Sequence, residues 1–243
     1  MTGASRGIGR AVARRFASAG ASIVVQYQSN EAAAASVLGE LGDGEHMTAQ
    51  ADVSDAPDVV SLVDGVLDRF GRIDVLVNNA GIYESHPVLS TTFEEWQASW
   101  QRTMATNLYG PANLIHAVVP GMVDRGGGRI VNVTSRGAFR GEPDHPAYGA
   151  SKAALNSLSQ SMARALAPQG IYVTAVAPGF VETDMAAPYL DGPEGDAIRS
   201  QSPMGRAATA DEVARVVVFL ATPGSESTTG TIVDVNGASY LRM

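Results

Sequence analysis

Tyr148 and Lys152 stand four residues apart in the run Tyr148-Gly149-Ala150-Ser151-Lys152, so a helix would place both on one face, about one turn apart. A phenol beside an ammonium is a proton-transfer pair. The cation favours the phenolate and is expected to lower the tyrosine pKa below its ordinary value of about 10. Lys152 is also the only lysine among the 17 lysines and arginines. A chain that uses arginine everywhere else has kept one compact, tunable ammonium, and arginine cannot replace lysine in that role. YxxxK is equally a common surface pattern, so the surrounding elements decide whether this pair is reactive or merely solvated.

Those elements begin with a glycine-rich turn over residues 1–9, in which Gly3, Gly7 and Gly9 fall at G-x-x-x-G-x-G spacing and run into a helix ended by Gly20. Such a loop lets backbone N–H groups approach a phosphate at the helix N-terminus. Only Met1 and Thr2 precede the first glycine, too few for the buried strand such a loop should follow. Either the native chain starts upstream of Met1, the reading we favour, or the sheet lacks its central first strand. After a strand at 23–25 comes Gln26-Tyr27-Gln28-Ser29-Asn30, with no acid before Glu31 to hold ribose hydroxyls. A 2′-phosphate would meet no repulsion there and Arg6 would pair with it, which favours NADP(H) over NAD(H). Otherwise Arg6 is a solvated loop cation.

Farther along, residues 31–41 read as a helix and 47–51 as a strand ending at Asp52-Val53. Ser54 is the expected N-cap of a helix running to Phe70. The apolar run 73–77 reads as a buried parallel strand delivering Asn78-Asn79-Ala80-Gly81 to a ligand crevice, or to a simple turn. A long helical stretch from 93 to about 125 carries Asn107 and is expected to break near Gly110-Pro111. A strand at 129–134 delivers Ser135, and the helix holding Tyr148 and Lys152 runs to about 167. Its stripe Leu155, Leu158 and Met162 reads as core or as a subunit interface. A strand at 171–176 ends in Pro178-Gly179, and residues 183–205, rich in Pro, Gly and Met, read as a mobile lid. A helix at 211–221 and a strand at 231–235 close the chain. Strands and helices alternate throughout, which predicts one doubly wound α/β domain over 1–243 without linker or repeat.

Composition narrows the function. With 243 residues, 45% apolar and 17% charged, the chain can bury a sizeable core. No apolar run reaches the roughly 18 residues of a membrane span, and no signal peptide is visible. The absence of cysteine excludes disulfides, thiolate zinc and a cysteine nucleophile, and agrees with a cytoplasmic protein. A net charge of −8 with scattered arginines speaks against nucleic acid. The four histidines show no metal-ligand spacing, so no metal is expected.

Taken together, Thr2-Gly3-x3-Gly7-x-Gly9, Asp52, Asn78-Asn79-Ala80-Gly81, Asn107, Ser135, Tyr148-x3-Lys152 and Pro178-Gly179 with Thr183 resemble the short-chain dehydrogenase/reductases over essentially the whole chain. The intervals of 28 residues from Asn107 to Ser135 and 13 from Ser135 to Tyr148 fit as well. The resemblance implies a seven-stranded parallel sheet of Rossmann type, and catalysis by Asn107, Ser135, Tyr148 and Lys152. Tyr148 would exchange a proton with a carbonyl or secondary-alcohol oxygen, Ser135 would hydrogen-bond the same oxygen, and Asn107 would anchor a water linking Lys152 to solvent. It implies cofactor contacts at Gly3, Ser5, Arg6, Gly7, Ile8 and Gly9, at Asp52 and Val53 around the adenine, and at Asn79, Ala80 and Gly81. Tyr148, Lys152, Pro178, Gly179, Val181 and Thr183 would meet the nicotinamide end. It also implies a homodimer or homotetramer packed through helices at 113–122 and 155–166. Within the family, Val25-Gln-Tyr27 and Pro178-Gly-Phe-Val-Glu-Thr-Asp-Met185 look like those of 3-oxoacyl-carrier-protein reductases. Those enzymes present basic residues to an acidic carrier, whereas this region offers Arg125 together with Gln169. Arg136 and Arg140 after Ser135 would either select an anionic substrate or keep the loop soluble. A silent cofactor-binding sensor is the remaining alternative.

Overall fold

Three segments carry apolar, largely β-branched residues on both faces and are buried accordingly: Val75–Asn78 (β3), Gly128–Val133 (β4) and Ile171–Pro178 (β5). The computed structural model, which describes residues 1–242, pairs them in parallel in the order β3-β4-β5, and Ile232–Val235 (β8) continues the sheet beyond β5. Ile23–Tyr27 (β1) and His46–Gln50 (β2) form a second parallel pair. A short parallel pair, Val181–Glu182 (β6) with Ala208–Thr209 (β7), lies outside both.

The gap between β1 and β3 is where the glycine loop's preceding strand belongs. It is filled by Met1–Ala4: Thr2 N–H donates to Val77 O at 3.0 Å, Gln26 N–H to Met1 O at 3.2 Å, and Ala4 N–H to Gln26 O at 2.9 Å. This four-residue stub joins the two parallel pieces, so the seven strand positions run β2, β1, stub, β3, β4, β5, β8. The central strand position is therefore occupied: Met1–Ala4 fills it and carries the central hydrogen bonds.

Helices cover both faces of this sheet. Gly7–Ser18 (α1) and Ala210–Leu220 (α10) pack on one side, where Val12, Val213 and Val217 meet Val77, Val131 and Val176. Ala56–Phe70 (α3), Gly110–Asp124 (α5) and Pro146–Leu166 (α7) pack on the other, with Val59, Leu114, Ile115, Val118 and Met122 against Ile130, Ile171 and Val173. Glu31–Glu40 (α2) covers β1 through Ala34 and Val37. The cap of α3 is Asp55, whose side chain accepts from Asp58 N–H. Ser54, the expected cap, instead donates twice to Asp52 through its N–H and hydroxyl, and so shapes the loop after β2.

The long helical stretch does not break at Gly110-Pro111. Phe93–Met104 (α4) passes into α5 through a π turn at Ala105–Tyr109. Proline has no N–H, so Pro111 leaves the carbonyl four residues back, that of Asn107, without its α-helical donor; one wider turn lets the ladder continue. Gly110 is needed at this joint because a Cβ there would sit 2.6 Å from Val53 O. Between β5 and α10, the segment read as a lid holds Ala187–Leu190 (α8) and Gly195–Ser200 (α9). Ala186, Leu190 and Ala207 form its own small core with Phe180 and Ile198. A further short helix, Gly137–Arg140 (α6), follows Ser135.

Candidate active site

The carboxyl ends of β1, β3, β4 and β5 open on a cleft of about 440 Å³. Every residue expected to touch a cofactor lines it except Gly9, which lies behind the loop, where a Cβ would come 2.2 Å from Gly3 O. Gly3 and Gly7 have φ of +59° and +54°, a conformation that suits glycine, and a Cβ on Gly3 would press on Ala80 Cα at 3.0 Å. Arg6 stands at the N-cap of α1 with no side-chain cap, and the first turn contains no acid. The first N–H groups of a 12-residue helix therefore face the cleft with nothing from their own helix to satisfy them, which is the environment a diphosphate fits. Thr2 holds the far wall: its hydroxyl oxygen accepts from Asn79 N–H at 2.9 Å and Ala80 N–H at 3.0 Å.

At the adenosine end, Asp52 and Val53 lie beside Gln28, Ser29 and Asn30. Asp52 is tied into its own loop by Ser54 and receives Gln28 Nε2 at 2.8 Å. Those hydrogen bonds outweigh burial, the largest single influence and an opposing one, and hold its carboxyl below the usual range. Arg6 is exposed at the same lip.

At the other end the reactive set converges. Ser135 follows β4, and its hydroxyl oxygen accepts Gly137 N–H at 3.0 Å. The Tyr148 phenol lines the same end of the cleft as Ser135, whose hydroxyl draws its pKa down. Lys152 is buried one turn along α7, donates to Val133 O at 2.9 Å, and lies 5.8 Å from the centre of the Tyr148 ring. Asn107 is fully buried in the π turn, donating to Ile82 O at 3.0 Å and Ser151 Oγ at 3.2 Å while accepting from Ile82 N–H at 2.9 Å. Its side chain thus clamps the chain beyond Gly81. A buried line from Asn78 through Asn132 to Ser159, with both links at 2.8 Å, fixes α7 against β3 and β4. The four residues expected to act together are brought together.

One electrostatic expectation is corrected. Burial pushes the Tyr148 phenol up to about 12, with Ser135 pulling only part of the way back and the Glu142 carboxyl adding to the rise. Burial likewise pushes Lys152 down to about 8. Spacing placed the ammonium correctly, but burial, Ser135 and the Glu142 carboxyl, rather than the ammonium, set the direction of the phenol's shift.

Sequence reading named neither the wall opposite Tyr148 nor the group that sets its helix. Tyr83 stacks on His145 with ring centres 3.7 Å apart, meets Tyr148 edge-on at 4.7 Å, and is flanked by Tyr189 at 5.4 Å. His145 shares a hydrogen bond of 2.9 Å with the Tyr189 hydroxyl, and burial lowers its pKa to about 4, so it is neutral. Glu142, partly buried near Tyr83, has its carboxyl pushed up by burial. His86, buried, accepts from Ala147 N–H at 3.2 Å through Nε2 and contacts Glu84 O at 2.8 Å through Nδ1. It satisfies a free N–H at the start of α7, a contact 61 residues apart in sequence that no local pattern announces. Arg125 and Gln169, weighed as a carrier-protein contact, lie just before β4 and β5, at the end of the sheet opposite the cleft. Among the described residues no helix is long and apolar enough to cross a membrane, and no group of three or more His, Cys, Asp or Glu is placed to hold a metal.

A doubly wound sheet with an uncapped glycine turn at its centre and a Ser-Tyr-Lys set at its crevice defines a dinucleotide-binding oxidoreductase architecture. The chain belongs to the short-chain dehydrogenase/reductase family: residues 3–238 match the family model described as Enoyl-(Acyl carrier protein) reductase. It is 39% identical over 244 residues to the 3-oxoacyl-[acyl-carrier-protein] reductase of Synechocystis sp., covering 99% of this chain and 96% of the relative. The enzyme of the same description from Vibrio cholerae is 38% identical over 242 residues, with coverage of 99% and 96%. Among solved structures, a short chain dehydrogenase from Burkholderia cenocepacia in complex with NADP matches with a TM-score of 0.89 at 34% identity, over 98% of this chain and 96% of the other. A dehydrogenase/reductase from Sinorhizobium meliloti matches with a TM-score of 0.91 at 32% identity, over 99% and 94%.

Proposed function

We propose that the protein is an NADP(H)-dependent oxidoreductase that interconverts a carbonyl and a secondary alcohol. The observation that carries this is that Ser135, Tyr148 and Lys152 line one end of a cleft whose other end is the uncapped glycine turn. The bound cofactor supplies or accepts the hydride. Ser135 and Tyr148 aim two donors at one substrate oxygen and stabilise the negative charge that develops there. A phenol held near 12 stays protonated through neutral pH, so Tyr148 is a ready acid for reduction. Lys152, the one ammonium beneath it, anchors the ribose and favours the phenolate once the site is filled. NADP is preferred over NAD because the residues after β1 offer amides and hydroxyls and no carboxylate, with Arg6 at the lip.

The relatives' name points to a 3-oxoacyl group on an acyl carrier. A net charge of −8, and the position of Arg125 away from the cleft, favour a small-molecule substrate instead. The α8–α9 segment serves as the lid. A homodimer or homotetramer in the cytoplasm completes the reading; light scattering on the purified protein and cell fractionation check those two points.

The deciding measurement is the loss of NADPH absorbance across a panel of ketones and aldehydes, with titration calorimetry of NADPH and NADH alongside. Tyr148→Phe should lower turnover by roughly 10²–10⁴-fold, the usual share of general acid–base catalysis, while NADPH still binds. Binding without turnover on any carbonyl would mark a sensor; a Tyr148→Phe enzyme close to wild type would remove the tyrosine from the chemistry.

A further inference from the structure

Arg136 follows Ser135 directly, yet it is not a loop cation: only 3% of its surface is exposed, and it borders the cleft. Its guanidinium lies over the Phe180 ring at 5.3 Å and donates once, to Gln201 Oε1 at 2.6 Å. Arg140 reaches the same oxygen at 3.1 Å. The nearby Glu142 carboxyl, which burial pushes up, lies 3.8 Å from Arg140. Among the described residues Arg136 has no ion pair within 4 Å, so a buried cation borders the substrate end of the cleft with Glu142 as a more distant counter-charge. Burial, and then the neighbouring Arg140, disfavours its charge, Glu142 and Tyr83 offset part of that, and an incoming anion would relieve the remainder.

Resting on the oxidoreductase reading, we infer that Arg136 is a specificity-determining residue that takes a carboxylate on the substrate, so that the physiological carbonyl compound is a short oxo acid or its hydroxy acid. The remaining N–H groups of a guanidinium match a planar carboxylate, and Phe180 fixes the plane in which they lie. Arg136 is adjacent in sequence to Ser135 and both line the same cleft, so one small molecule would reach both groups. The aromatic wall of Tyr83, His145 and Tyr189 flanks the carbons between them.

The test separates this inference from the reading beneath it. Calorimetry of the enzyme–NADP⁺ complex compares straight-chain carboxylates with amides of the same length, which do not react, and with the alkyl phosphates. The carboxylate should bind at least about 10-fold more tightly than the amide, the effect expected of one charged hydrogen-bonded pair. Arg136→Gln should erase that ratio and Arg136→Lys should restore part of it. Equal binding of carboxylate and amide by the wild-type enzyme, a preference that survives Arg136→Gln, or tighter binding of the phosphate would each overturn the inference. In parallel, 2-, 3-, 4- and 5-oxo acids are compared with their methyl esters in the NADPH assay, where kcat/KM should favour an acid by a similar factor. Turnover of ketones with no acid preference would remove the carboxylate site and leave the oxidoreductase; carboxylate binding without any turnover would do the reverse.

Discussion

At the scale of single residues, the site places two titratable groups where neither keeps its solution behaviour. Lys152 has exchanged water for one carbonyl, Val133 O, and its pKa falls from 10.5 to about 8. The unfolded chain would therefore hold a proton between about pH 8 and 10.5 that the folded chain has released, so this group makes the protein more stable as pH rises through that window. The full desolvation cost applies below pH 8. Relative to a Lys152→Met variant, the cofactor-free wild-type protein should gain stability from pH 8 to 10.5, with a slope of up to about 1.4 kcal/mol per pH unit. Urea titrations of both proteins across that range check it, and a constant difference would mean that water reaches the ammonium. The pairing of Tyr148 with Lys152 was legible from spacing alone. The direction of the phenol's shift was not, because burial depends on β4, Tyr83 and Glu142, which are remote in sequence.

At the scale of elements, the π turn connects backbone chemistry to the site. Pro111 forces the wider turn, and the turn points Asn107 inward, where its amide makes a two-way clamp on Ile82. A helix with a proline near position 111 was visible in sequence; that the helix would continue through it was not, since the remedy depends on Gly110 fitting under Val53 O. Asn107→Asp removes the donor that faces Ile82 O and sets a second acceptor against it. The expected cost is about 1–3 kcal/mol of stability, the usual penalty for a buried acceptor left unpaired, accompanied by slower turnover. Chemical denaturation and steady-state kinetics measure the two effects. An unchanged denaturation midpoint would mean that the Ile82 clamp contributes nothing. The strands and the larger helices were readable because β-branched runs and helical periodicity are local signals, whereas the aromatic wall at Tyr83, His145 and Tyr189 is assembled from three separate loops and helices.

At the scale of the whole molecule, the sheet is two parallel pieces joined at its centre by Met1–Ala4, and the same four residues carry the glycine turn into the cleft. Thr2 is the pivot. It is 3% exposed, its N–H closes the ladder to β3, and its hydroxyl oxygen is the acceptor for the Asn79 and Ala80 N–H groups that begin the nucleotide wall. Valine has nearly the same shape and no acceptor, so Thr2→Val should leave the packing intact while stranding two backbone donors. At about 1–3 kcal/mol per unpaired group, and about 2–4 °C of melting temperature per kcal/mol in a domain of this size, the loss should be of order 10 °C. NADPH, which binds the folded state alone, should recover part of that loss by mass action. Amide exchange should accelerate first at Asn79 and Ala80 and then through β1 and β2, the piece that the stub holds to the remainder. A variant that melts with the wild type and keeps those amides protected would mean that the two pieces are held together by their helices, with the stub along for the ride.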